Sequence, residues 1–109
     1  MKSEIKFADK KLKNSLDKLR YSKIENKKLY EWLNRALDDL EDNPYCGIQI
    51  PKRLIPKIYI KKYSIDNLWK YDLPSSWRLI YSVTNDSVEV ISIILEWMDH
   101  KEYDRRFNY

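Results

Sequence analysis

Glycine is almost missing from this chain: in 109 residues Gly47 is the only one. A loop that cradles phosphate needs several glycines, so that backbone N–H groups can approach the anion. A P-loop and a dinucleotide fingerprint are therefore excluded, and no Gly-x-Ser-x-Gly elbow occurs. Cysteine is equally scarce. Cys46 alone permits no disulfide within the chain and no thiolate metal site. His100 is the single histidine, so carboxylates would have to supply nearly every ligand of a zinc site. No metal and no other cofactor is expected. Long apolar runs are lacking too. The N-terminus, Met1-Lys2-Ser3-Glu4-Ile5-Lys6, has no signal-peptide core, and no apolar run approaches a membrane span. The expected location is the cytoplasm.

What is present is charge and aromatic surface. The mean hydropathy of -0.72 stems from charged residues, 35% of the chain, and does not signal disorder, because four Trp and nine Tyr accompany them. The length fits one domain, residues 1–109, and the 43% apolar content fits one core. The net charge of +4 is local. Lys52, Arg53, Lys57, Lys61 and Lys62 all fall within residues 51–65, where no acidic residue occurs. The rest of the chain sums to -1.

Periodicity organises the chain. Glu4 to Ala8 alternates and predicts a short strand. Asp9 can cap a following helix, whose Leu12, Leu16 and Leu19 recur at helical spacing. A second helix from about Glu25 carries Leu29, Leu33, Ala36, Leu37 and Leu40 on one stripe and stops at Asn43-Pro44. A short turn between the two makes them an antiparallel hairpin. Residues 48–56, with Pro51 and Pro56, read as an irregular connection. Lys57 to Tyr63 alternates and reads as a strand or extended arm. Leu68 to Leu73 follows, then a turn at Pro74-Ser75-Ser76, and a strand from Trp77 to Val83. Thr84-Asn85-Asp86-Ser87 signals a hairpin turn. Val88 to Leu95, apolar on both faces, predicts a central buried strand. Asp99 can cap a last helix through Phe107. The fold class expected is α+β: a two-helix N-terminal hairpin packed on a mostly antiparallel sheet, in the order β-α-α-β-β-β.

Three groups could carry chemistry. The basic segment 51–62 could neutralise phosphates, with Tyr59, Tyr63 or Trp69 stacking on bases; it could equally be a solvated loop over core aromatics. Arg78 opens an apolar strand. Alternation places it with Ile80 and Ser82, opposite Trp77, Leu79, Tyr81 and Val83. A guanidinium held by a strand can grip a phosphate through two parallel hydrogen bonds, or it can pair with Glu89 or Glu96. His100 and Tyr103 share a helix face, and an imidazole can pass protons near neutral pH; a lone His at a helix start can also be plain surface. Glu96 and Asp99 offer a weaker acid/base pair. Cys46 reads as structural, and the four tryptophans read as core or partner-facing surface.

Taken in order, Asn43-Pro44-Tyr45-Cys46-Gly47, the strand Arg78-Leu79-Ile80-Tyr81 and the closing His100-x-x-Tyr103 resemble the RelE/ParE superfamily, and within it the RelE, YoeB and HigB-like toxins. The resemblance spans nearly the whole chain. It implies a RelE-like fold, a cognate antitoxin as partner, and metal-independent cleavage of mRNA, often on the ribosome. In that reaction the ribose 2′-OH attacks the adjacent phosphate. A base takes its proton, an acid protonates the leaving 5′-oxygen and cations stabilise the phosphorane. The resemblance assigns Arg78 to the phosphate, Lys70 as a basic residue on the preceding strand, His100 to acid/base work and Tyr103 to orienting or proton donation. Lys52, Arg53, Lys57, Lys61, Lys62, Arg105 and Arg106 are candidate RNA contacts. The chain departs from the pattern in three places. Residues 48–53 lack the carboxylate of YoeB-like members, Asp72 follows Lys70 where RelE-like members have more lysines, and the tail after Tyr103 is longer than in YoeB-like members. The same fold also serves ParE toxins, which inhibit DNA gyrase by binding, and it could serve a non-catalytic binding module.

Overall fold

The Asp9 side chain caps the first helix as its position suggests, Oδ1 accepting from the Leu12 N–H at 2.8 Å. A computed structural model describes residues 2–85 and 89–107. Its elements are β1 (Glu4–Phe7), α1 (Lys10–Leu19), α2 (Ile24–Asp42), β2 (Ile48–Ile50), α3 (Lys57–Tyr63), β3 (Leu68–Asp72), β4 (Arg78–Asn85), β5 (Val90–Met98) and α4 (His100–Phe107). One five-stranded sheet runs in the order β1-β5-β4-β3-β2. β1 lies parallel to β5, and the other three pairings are antiparallel. The expected α+β class and N-terminal helical hairpin are present. The chain has two elements more than the β-α-α-β-β-β order plus a terminal helix.

Those two elements correct the sequence reading. Residues 48–56 are not wholly irregular: Ile48–Ile50 pairs with β3, and a single 3-10 turn follows at Lys52–Leu54. Residues 57–63 are helix α3, not a strand or extended arm. Pro56 has no N–H to lose at the helix start, and Tyr59 and Tyr63, four apart, turn to the same side. Tyr59 is 1% exposed and its ring lies 5.8 Å from that of Phe107. Burying a large side chain of this kind contributes about 1.5–3 kcal/mol, enough to override a seven-residue alternation. The apparent strand pattern came from Ile58 and Ile60, which both stay exposed.

Apolar residues on both faces of the strands have partners on both sides. Leu16 of α1 and Leu29, Leu33, Ala36 and Leu40 of α2 pack against Leu79, Tyr81, Val83 and Ile94. On the opposite face, Tyr59, Tyr103 and Phe107 of α3 and α4 cover Ile80, Leu95 and Met98. The alternation expected in β4 therefore holds. In β5 it breaks once. Ile80 pairs with Glu96 and Tyr81 with Ile94, so Leu95 is an extra residue in the ladder. This bulge turns Leu95 and Glu96 to the same face, the one α4 covers.

The turn at Pro74–Ser76 is present, with Ser75 and Ser76 at φ 57° and 61°. The expected turn at Thr84–Ser87 falls partly on residues 86–88, outside the described residues. No described helix is long and apolar enough to cross a membrane.

Candidate functional site

The two motifs near the middle of the chain turn out to be one structure. Asn43 Oδ1 accepts from the Tyr45 N–H at 3.0 Å, folding the turn after α2. The Tyr81 hydroxyl donates to the Pro44 carbonyl at 2.8 Å and accepts from the Gly47 N–H at 3.2 Å. A Cβ on Gly47 would stand 2.5 Å from that hydroxyl and 2.6 Å from the Lys70 carbonyl. Glycine is required here for close approach. The Asn-Pro-x-x-Gly turn is thus fastened to the tyrosine of the Arg-Leu-x-Tyr strand, and it braces β3 beside Lys70. Burial pushes the Tyr81 hydroxyl pKa well up, which keeps it a neutral donor.

On the other face, three elements bring four of the chain's polar side chains together. Lys70 and Asp72 are two apart on β3 and so share a face. Asp72 stands directly opposite Arg78 in the β3–β4 register. Lys70 Nζ lies 2.9 Å from Asp72 Oδ1, and Arg78 Nε lies 3.0 Å from the same oxygen. The Arg78 Nε–H is not directed along that line, and among the described residues Nε is the one buried side-chain nitrogen or oxygen without a hydrogen bond. Its contact with Asp72 is an ion pair by proximity. Arg78 also donates from Nη1 to the Trp77 carbonyl at 3.2 Å. Tyr103 of α4 closes the cluster from below, with Lys70 Nζ 5.7 Å and Arg78 Cζ 5.5 Å from its ring centroid. Tyr103 is buried and stacks on Phe107 at 4.4 Å.

The structure brings together Lys70, Arg78 and Tyr103 of the residues expected from sequence. Arg78 pairs with Asp72 and not with Glu96, which Arg106 occupies, or Glu89, which lies beyond the far end of the ladder. His100 is exposed at the first position of α4. Asp99 caps that helix, its Oδ1 accepting from the Glu102 N–H at 3.0 Å, so Glu96 and Asp99 form no acid/base pair. Asp72 was visible in the sequence only as a departure from the family pattern. The signal that would have found it is the period-2 spacing from Lys70 combined with the tight turn that sets Arg78 opposite.

The remaining cations differ in kind. Lys52 and Arg53 on the 3-10 turn and Lys57, Lys61 and Lys62 on α3 are exposed. Arg105 is exposed and paired with Glu102. Arg106 is folded inward: Nη1 donates to Glu96 at 2.7 Å and Nη2 to Glu102 at 2.7 Å. Burial alone would lower its pKa, but the two carboxylates hold it above its usual value. Glu102 is in turn held below the ordinary carboxylate range by Arg105 and Arg106. Tyr59 is core and offers no face to a base, while Trp69 packs on the helical-hairpin side of the sheet. Partial burial, and then the Asp39 carboxylate, push the Cys46 thiol up and disfavour its thiolate. Among the described residues no group of His, Cys, Asp or Glu could hold a metal ion.

Comparison with curated proteins and with solved structures finds no match. Residues 6–98 match the family model described as ParE toxin of type II toxin–antitoxin system, parDE. The match runs from within β1 to the last residue of β5, so it includes Lys70, Asp72 and Arg78 and stops short of α4 with His100 and Tyr103. The chain belongs to the ParE toxin family of the RelE/ParE superfamily, a toxin of a type II toxin–antitoxin system whose membership implies a cognate antitoxin as partner.

Proposed function

We propose that this toxin acts in the cytoplasm as a metal-independent endoribonuclease on mRNA, bound on the ribosome, through attack of a 2′-OH on the adjacent phosphate. The observation that carries this reading is the convergence of Lys70 and Arg78 on Tyr103, from two strands and a helix, over a sheet that is packed on both faces. Cations held on rigid strands can stabilise a phosphorane without rearranging during the reaction. Arg78 grips the phosphate and Lys70 adds charge beside it. Tyr103 supports both cations through its ring face, which refines the orienting role expected of it. His100 supplies the acid that protonates the leaving 5′-oxygen. Exposed Lys52, Arg53, Lys57, Lys61, Lys62 and Arg105 contact RNA backbone. Arg106 serves this reading indirectly, by fastening α4 to the sheet.

Purified toxin incubated with a translating extract, followed by mapping of mRNA 5′ ends, tests the proposal. New ends are expected with the wild type and at least about 100-fold fewer with Arg78→Ala, in line with the cost of removing an oxyanion-stabilising donor. No new ends with the wild type would overturn it. The family model favours a second reading, since it is named for ParE and covers β3 and β4 but not His100. In that reading the toxin binds DNA gyrase, and inhibition of supercoiling by His100→Ala as strong as by the wild type is the result that would support it.

A further inference from the structure

The proposed reaction needs a group to take the 2′-OH proton, and the connection at residues 48–56 holds no carboxylate. We propose that Asp72 is the general base of the cluster, an assignment that rests on the endoribonuclease reading above. Four observations lead to it.

Among the described residues, Asp72 is the one carboxylate ion-paired to Lys70 and Arg78, through contacts of 2.9 and 3.0 Å. Its side chain is 46% exposed, against 16% for Lys70 and 21% for Arg78, so an approaching ribose meets the carboxylate first, with the cations behind it. Of the other carboxylates of α4 and the adjoining part of β5, Asp104 is exposed on α4 and the remaining three are committed. Glu96 binds Arg106, Glu102 binds Arg105 and Arg106, and Asp99 caps α4. Finally, Arg78 Nε is close to Asp72 but donates no directed hydrogen bond to it, so the carboxylate keeps a lone pair open to a proton.

The geometry suits the chemistry. The 2′-oxygen and the phosphorus it attacks are adjacent in one nucleotide. A carboxylate that shares two cations with the phosphate is therefore within reach of the 2′-OH. In the step, an Asp72 carboxylate oxygen takes the 2′-OH proton while the 2′-oxygen forms its bond to phosphorus. The bond from phosphorus to the 5′-oxygen breaks, and the 5′-oxygen takes a proton from His100. The products are a 2′,3′-cyclic phosphate and a 5′-hydroxyl, and the Asp72 proton returns to solvent. Among the described residues, Lys70 of β3 and Arg78 of β4 are the charged groups paired with Asp72, and the Tyr103 ring of α4 lies against both cations.

The test measures single-turnover cleavage of mRNA on programmed ribosomes by wild type, Asp72→Asn and Asp72→Glu across pH, beside RNA affinity and circular dichroism of each. Loss of a general base lowers the rate by about 10²–10⁴-fold. The expected result is a loss of that size in Asp72→Asn with RNA affinity equal or higher, since a negative charge is removed. The rise of the wild-type rate on its acidic limb should flatten in Asp72→Asn, and Asp72→Glu should recover part of the rate. Asp72→Asn cleaving as fast as or faster than the wild type would overturn the assignment while leaving an RNA-cleaving toxin, with Asp72 then a competitor of phosphate for the two cations. A rate loss matched by an equal loss of affinity would also overturn it. A wild type that forms no cyclic phosphate would overturn the endoribonuclease reading itself.

Discussion

At the scale of single residues, Gly47 and Tyr81 carry the sharpest structural expectation. Gly47→Ala places a methyl carbon against the Tyr81 hydroxyl and the Lys70 carbonyl, and the carbonyl is backbone that cannot swing aside. Overpacking of this kind costs about 1–3 kcal/mol, and urea denaturation should show a loss in that range. Tyr81→Phe leaves the Pro44 carbonyl and the Gly47 N–H without their shared partner. A loss of about 1–3 kcal/mol is expected in the same measurement. Arg78→Ala should differ in kind. Arg78 is at the edge of its core, opposite Asp72 and Met98, so its loss should leave the circular dichroism spectrum unchanged while removing toxicity. A fully toxic Arg78→Ala protein would remove the phosphate-gripping role. Sequence spacing marked Arg78 and Tyr103, and the family resemblance marked Lys70. Spacing could not mark the Tyr81 bonds to Pro44 and Gly47, because a contact across 34 or more residues leaves no local period.

At the scale of elements, α4 is held by apolar contacts of Tyr103 and Phe107 and by the chain Glu96–Arg106–Glu102. Arg105 and Arg106 lower the Glu102 pKa in the folded state. A lowered carboxylate pKa contributes stability that is fully present above the unfolded value, roughly 4.3 for Glu, and is lost as pH falls through the folded one. Hydrogen exchange of the α4 amides should therefore accelerate as pH falls below about 4.3, beyond the intrinsic pH trend, and Glu102→Gln should abolish the excess. The capped helices were legible because their signals are local: Asp9, the leucine stripes and Asp99 each act within a turn or two. Helix α3 was not. Its seven residues alternate, and only the tertiary burial of Tyr59 against Phe107 decides for helix. Strand β2, three residues long, carries too little pattern to announce itself and exists because β3 offers it an edge. The β5 bulge was equally hidden, although it is what points Glu96 at Arg106.

At the scale of the whole molecule, a five-stranded sheet covered on both faces holds a cluster of cations around one carboxylate, and the chain is a type II toxin. The central claim is that this cluster cleaves mRNA. The most direct measurement is induced expression of wild type, Arg78→Ala and His100→Ala, with growth followed and cellular mRNA ends mapped by primer extension. The account predicts growth arrest with new mRNA ends for the wild type and neither for the two variants. Growth arrest by the wild type without new mRNA ends would contradict it and point to a target other than mRNA.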